Sequence, residues 1–89
     1  MGTDEDIADI VELLSEVSED RTVPRNIRGA AANAMEILQD NGKDSVVKAS
    51  EAIAVLDEIS TDLNMPVHAR TKIWNILSLL ETITSESQE

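Results

Sequence analysis

The residues of this chain that could do chemistry crowd into one stretch, Ser60 to Leu77, with the sequence STDLNMPVHARTKIWNIL. It holds the only histidine, His68, the only tryptophan, Trp74, and the cations Arg70 and Lys72. Nucleophilic catalysis needs a hydroxyl within reach of a general base, or a thiolate. The chain has no cysteine, and its serines read as lying in neither a nucleophile elbow nor a Ser-x-x-Lys context. His68 follows Pro66 at a helix start, where an exposed polar residue of the first turn is expected rather than a base. A di-iron centre would need Glu-x-x-His on a pair of helices, and that motif is absent. Asp57, Glu58 and Asp62 are the right type for weak binding of a hard cation; a solvated acidic face is the plainer reading. Three glycines make no phosphate loop. No catalytic, cofactor-binding or metal-binding residue is therefore expected, and the chain reads as a non-enzyme.

Binding chemistry has better material. Five of the seven basic residues, Arg21, Arg25, Arg28, Arg70 and Lys72, lie within six residues of one of two prolines, Pro24 and Pro66. Arg25, Arg28, His68, Arg70, Lys72 and Trp74 form a candidate binding edge. Two uses compete for it. Arg28 and Arg70 are expected to pair with the acids Glu16, Asp20, Glu58 and Asp62. The cations left over, together with two helix N-termini and Trp74, suit an acidic partner or an anion. Trp74 itself reads as a half-exposed cover on the core edge or as an interface anchor, a role in which Trp is enriched.

The elements that position these residues are helices. Ile7, Ile10, Val11, Leu14 and Val17 recur at helical spacing, after a capping box from Thr3 to Asp6. Ile27, Ala30, Ala31, Ala34 and Leu38 mark a second helix, with Pro24 in its first turn. Asn41 and Gly42 are expected to stop it through a left-handed cap. A third begins near Asp44 or Ser45 and carries Val46, Ala49, Ala52, Ile53, Leu56 and Ile59. Asn64 is expected to cap the fourth, with Pro66 in its first turn and Ile73, Ile76, Leu77 and Leu80 as its stripe. Asn33 and Asn75 read as boundary amides bonded to neighbouring helix ends. Residues 85–89 form a polar, frayed tail.

A shift of 42 residues lays the second half on the first. Leu14, Glu16, Ser18, Asp20, Pro24, Arg28, Asn33 and Leu38 fall on Leu56, Glu58, Ser60, Asp62, Pro66, Arg70, Asn75 and Leu80. The chain is thus one all-α domain over residues 1–89, with hairpin one at about 3–41 and hairpin two at about 45–84. Short loops favour antiparallel neighbours. The predicted fold is a four-helix up-and-down bundle of two repeated hairpins; the alternative is two open HEAT-like hairpins. The two differ in whether the first helix packs on the fourth.

Eighteen acidic against seven basic residues give a net charge of −11. Such a surface repels nucleic acid and anionic lipid. No apolar run approaches the roughly 20 residues of a membrane span. The acidic start shows no signal peptide, and the lack of cysteine fits a cytoplasmic protein. The segments VPRNIRGAAANA, AIAVLDEIS and MPVHARTKIWNILSLLE resemble a numbered family of small uncharacterised archaeal proteins, UPF0147. The resemblance covers nearly the whole chain. It implies an all-helical fold and an archaeal cytoplasmic origin, and no activity. The expected function is a non-catalytic protein-interaction or adaptor module, acting on a protein partner or on itself as a homodimer. An anion- or nucleic-acid-associated accessory protein is the alternative.

Overall fold

The computed structural model describes residues 3–86. Four helices follow in order: α1 Thr3–Ser18, α2 Arg25–Leu38, α3 Ser45–Ser60 and α4 Val67–Glu86. Residues 19–24, 39–44 and 61–66 connect them. Each helix packs on two others in a ring, α1 on α2, α2 on α3, α3 on α4 and α4 back on α1. The α1–α4 contact closes the up-and-down bundle and excludes the open HEAT-like arrangement. Its extents are 37 × 21 × 20 Å.

The apolar stripes read from the sequence meet in one core. Leu14, Leu38, Leu56 and Leu80, the leucines that coincide in the repeat, are all buried. Ile10, Ile27, Ile73, Ile76 and Ile83 fill the space between them. Buried alanines at 31, 34, 49, 52 and 69 keep the helices close. Val11, Ala30 and Ile53 are only partly buried and pack against this core from its margin.

All three connectors share one device. The carboxylates of Asp20, Asp40 and Asp62 accept a hydrogen bond from the backbone amide two residues on, at Thr22, Gly42 and Asn64, at 2.8–2.9 Å. This is an Asx turn, which a short acidic side chain makes with its own backbone. In the first and third connectors the next residue, Val23 or Met65, is buried beneath the turn. A proline then stands just before the first helical residue. The carbonyls of Pro24 and Pro66 accept the amides three and four residues on, Ile27 and Arg28 or Ala69 and Arg70.

Several local expectations are corrected. The prolines precede their helices instead of lying inside the first turn; Pro24 is extended at φ −56°, ψ 153°. A residue with no N–H suits this place. Asn64 does not cap α4: it stands three residues before Val67, and the first bonded helix amides, of Ala69 and Arg70, go to the Pro66 carbonyl. Gly42 does not adopt the left-handed backbone; α2 ends at Gln39 with φ −91°. The amides of Gln39 and Asp40 reach the carbonyls of Met35 and Ile37 instead, at 3.0 and 3.3 Å. Asn33 and Asn75 are exposed rather than at a boundary. Residue 85 is still helical, while 87–89 lie outside the described residues, as does the side chain of Thr3 on which the capping box rests.

Candidate functional site: the clasped end and the outer face of the fourth helix

The antiparallel ring brings the first and third connectors to one end, as the repeat predicts. Two cross-links join them there. His68 Nε2, at the start of α4, lies 2.8 Å from Asp20 Oδ2 in the first connector and 3.2 Å from Thr22 Oγ1. Asn26 Nδ2, at the start of α2, donates to Asp62 Oδ2 in the third connector at 2.9 Å. Residues 26 and 68 coincide under the shift of 42, and so do 20 and 62. The two links are therefore one contact repeated by the approximate twofold.

Both aspartates are held strongly ionised. The Asp20 carboxyl falls from its ordinary 3.8 to about 2, because the Thr22 hydroxyl and amide donate to it and His68 adds a further bond. The Thr22 hydroxyl bond is 2.6 Å. Asp62 is lowered too, first by the Asn26 amide, then by the Asn64 backbone and the nearby Arg70 guanidinium.

The repeated arginines do not pair with the repeated acids. Arg28 Nε donates to the Val23 carbonyl at 3.0 Å. Arg70 donates to the carbonyls of Ser60 at 3.2 Å, Asp62 at 3.1 Å and Met65 at 3.5 Å. Ser60 closes α3, so this cation sits at a helix C-terminus, where it complements the dipole. A guanidinium carries five donors in a rigid fork and can gather several carbonyls at once. Lys72 Nζ does pair with Glu16, at 3.1 Å, across the α1–α4 seam.

The candidate edge thus divides. Arg28, His68, Arg70 and Lys72 are engaged within the fold. Arg25 and Trp74 are exposed, and neither has a side-chain partner among the described residues. Trp74 is 59% exposed, and two residues not singled out in the sequence join it: Val67, 78% exposed, and Leu63 in the connector, 92% exposed. Val67 and Trp74 lie two turns apart on one face of α4. From Val67 to Leu79 the exposed positions of α4 are Val, His, Thr, Trp, Asn, Ser and Leu, with no Asp, Glu, Lys or Arg. The exposed positions of α1 between Glu5 and Glu16 are acidic except for Ala8. The sequence signal for the α4 face is a helical stripe of uncharged residues opposite the core stripe, easily mistaken for more core.

Ser45 and Lys48 correct the expectation that no serine stands in a Ser-x-x-Lys context. Their Ser-x-x-Lys spacing is that of some acylating serine enzymes, and Lys48 is buried at 8% exposure. No hydrogen bond joins the two side chains, and the described residues enclose no pocket. Lys48 stands eight residues after Asp40, as Arg28 does after Asp20 and Arg70 after Asp62, which makes it the third connector-associated cation. Among the described residues no three His, Asp or Glu side chains gather to hold a metal, Asp57, Glu58 and Asp62 included. No described helix is long and apolar enough to cross a membrane.

A small closed four-helix bundle of two like hairpins, clasped at one end and carrying an uncharged outer face, is the class that this fold and face define. The chain belongs to the uncharacterised protein family UPF0147, whose model matches residues 1–83. A UPF0147 protein of Methanothermobacter thermautotrophicus is 54% identical over 83% of this chain and 72% of that one. A relative in Thermococcus kodakarensis is 53% identical over 86% and 94%. The crystal structure of the unknown-function protein MMP1188 superposes with a TM-score of 0.86 at 49% identity, covering 89% of this chain and 90% of that one. A UPF0147 structure from Thermoplasma acidophilum gives 0.84 at 32% identity, over 91% and 96%.

Proposed function

We propose that this protein is a non-catalytic interaction module of the cytoplasm, and that its contact surface is the outer face of α4 with Leu63 at its foot. One observation carries the reading: a chain of net charge −11 keeps Asp, Glu, Lys and Arg off the exposed positions of α4 from Val67 to Leu79 and sets Trp74 and Val67 among them, with Leu63 just before. Exposed apolar groups gathered on one face mark contact surfaces, and a partly exposed Trp is a frequent anchor. The engagement of Arg28, Arg70, His68 and Lys72 inside the fold favours a protein partner over an anion or nucleic acid, which needs cations free to bind phosphate.

A photo-crosslinking residue placed at Trp74 in the native host, compared with one at Glu12 on the acidic face, tests this. Discrete adducts of protein are expected at position 74 and not at 12. Equal labelling at both positions, or adducts lost on nuclease treatment, would sink the reading.

A further inference from the structure

We infer that the partner of the α4 face is a second copy of this chain, packed antiparallel through α4 about a twofold axis near Trp74 and Asn75. The inference rests on the reading of α4 as a contact surface and names its occupant. Charge selects that occupant. Two copies of a chain at −11 repel over most of their surfaces. The acidic face of α1, with Glu5, Asp6, Asp9, Glu12 and Glu16, would set like charge on like charge. A basic partner would be recognised by those acids, not by a face that has shed them. The uncharged face of α4 is where two like-charged molecules can meet.

Chemistry at the face permits burial. The hydroxyls of Thr71 and Thr82 donate to carbonyls of their own helix, Val67 and Ser78, at 3.1 Å each. Covering these two strands no donor, which is what makes burial of a polar group costly; Asn75 and Ser78 on the same face take their partners across the twofold. Area is sufficient as well. Trp74, Val67 and Leu63 at their observed exposures present on the order of 400 Å² of apolar surface. A standard interface takes roughly 800 Å² from each partner, a little over half of it apolar.

Symmetry fixes the register. Glu81 is the one Asp, Glu, Lys or Arg exposed on α4 from Val67 to Ser85. The exposed stripe of Val67, Thr71, Trp74, Asn75, Ser78 and Thr82 carries no charge, and its midpoint lies between Trp74 and Asn75. An antiparallel contact centred there sets Thr71 against Ser78, Val67 against Thr82, and Glu81 against the helix start bearing His68. A carboxylate at a helix N-terminus is favourable, whereas a parallel contact would oppose the two Glu81 side chains. Twofold dimers are the commonest homo-oligomers.

The test is sedimentation of the full chain from about 1 µM to about 0.5 mM, a span that brackets weak dimer affinities. Trp74 fluorescence is read on the same samples. The expected result is a monomer–dimer equilibrium with emission shifting to the blue as the dimer fills. Raising salt from about 0.05 to about 0.5 M should tighten it, because screening removes the repulsion between the acidic bodies. Trp74→Ala should weaken the dimer roughly tenfold or more, and Val67→Glu should remove it, with helicity of both variants unchanged by circular dichroism. A monomer throughout, with constant emission, overturns the inference. So does a dimer that both variants retain, or one that salt dissociates. A monomer whose position-74 crosslinker still captures another protein overturns only the second copy and leaves α4 as a contact face.

Discussion

Hairpin one and hairpin two are built alike and dressed differently. Where they agree, the residues hold the fold: Leu14 and Leu56, Asp20 and Asp62, Pro24 and Pro66, Arg28 and Arg70, Leu38 and Leu80. Where they part, much of the difference lies on the outer faces of α2 and α4. The face of α2 reads Arg25, Asn26, Gly29, Ala32, Asn33 and Glu36, and the same places on α4 hold Val67, His68, Thr71, Trp74, Asn75 and Ser78. Two charges vanish, and an alanine becomes the only tryptophan. Under the proposed function, the repeated frame separates packing from contact. Matched positions carry packing and turn geometry, while the unmatched outer face is open to contact.

The comparison is broken most forcefully at the core. Replacing Leu38 or Leu80 with Ala should destabilise the bundle by about 2–5 kcal/mol. If the halves are equivalent frames, the two values should agree within about 1 kcal/mol in chemical denaturation. A large gap would show that one hairpin dominates the core.

The arginines sharpen it next. Arg70 serves three carbonyls and Arg28 one. At about 0.5–1.5 kcal/mol for each net hydrogen bond, Arg70→Ala should cost roughly two to three times what Arg28→Ala does, the 3.5 Å bond to Met65 being the weakest. Lysine at 70 should not restore the loss, because an ammonium lacks the planar fork. Full rescue by lysine would mean that charge at the end of α3 matters more than geometry.

Acid titration separates the two clasp contacts. Asp20 titrates near 2 when folded, below its ordinary 3.8. Its contribution is therefore complete above the unfolded value and is lost as pH falls from about 4 towards 2. Asp20→Asn should lower the melting temperature at pH 7 and flatten its decline over that acid window. A variant that keeps the wild-type slope would place the acid sensitivity elsewhere. The smallest stability effect is expected at Trp74, where alanine should change folding by less than about 0.5 kcal/mol. A larger loss in the dilute monomer would show that the ring holds the core together.

Much of this frame is legible in the sequence because helix periodicity, proline and a 42-residue repeat all report on the same elements. The four leucines were placed in the core by that agreement alone. The roles of Arg28 and Arg70 were not legible. Sequence spacing brings arginine and aspartate together but does not say whether the guanidinium meets the carboxylate or the backbone behind it. Gly42 misled for a related reason, since the backbone amides of Gln39 and Asp40 meet the last carbonyls of α2 with no left-handed residue, and the Gly42 amide turns to the Asp40 carboxylate. Val67 and Leu63 went unread because an aliphatic residue beside a core stripe looks like core until the helix is set at its true rotation.

The reciprocal links at the clasped end have a kinetic meaning. His68–Asp20 spans 48 residues and Asn26–Asp62 spans 36. Each hairpin can form from neighbours in sequence, but the clasp requires the two hairpins to find each other, and closing so long a loop is entropically slow to be repaid. In a chain without cysteine the clasp occupies the place of a removable staple. Its long sequence separation leads to the expectation that it forms after the hairpins and slows their parting.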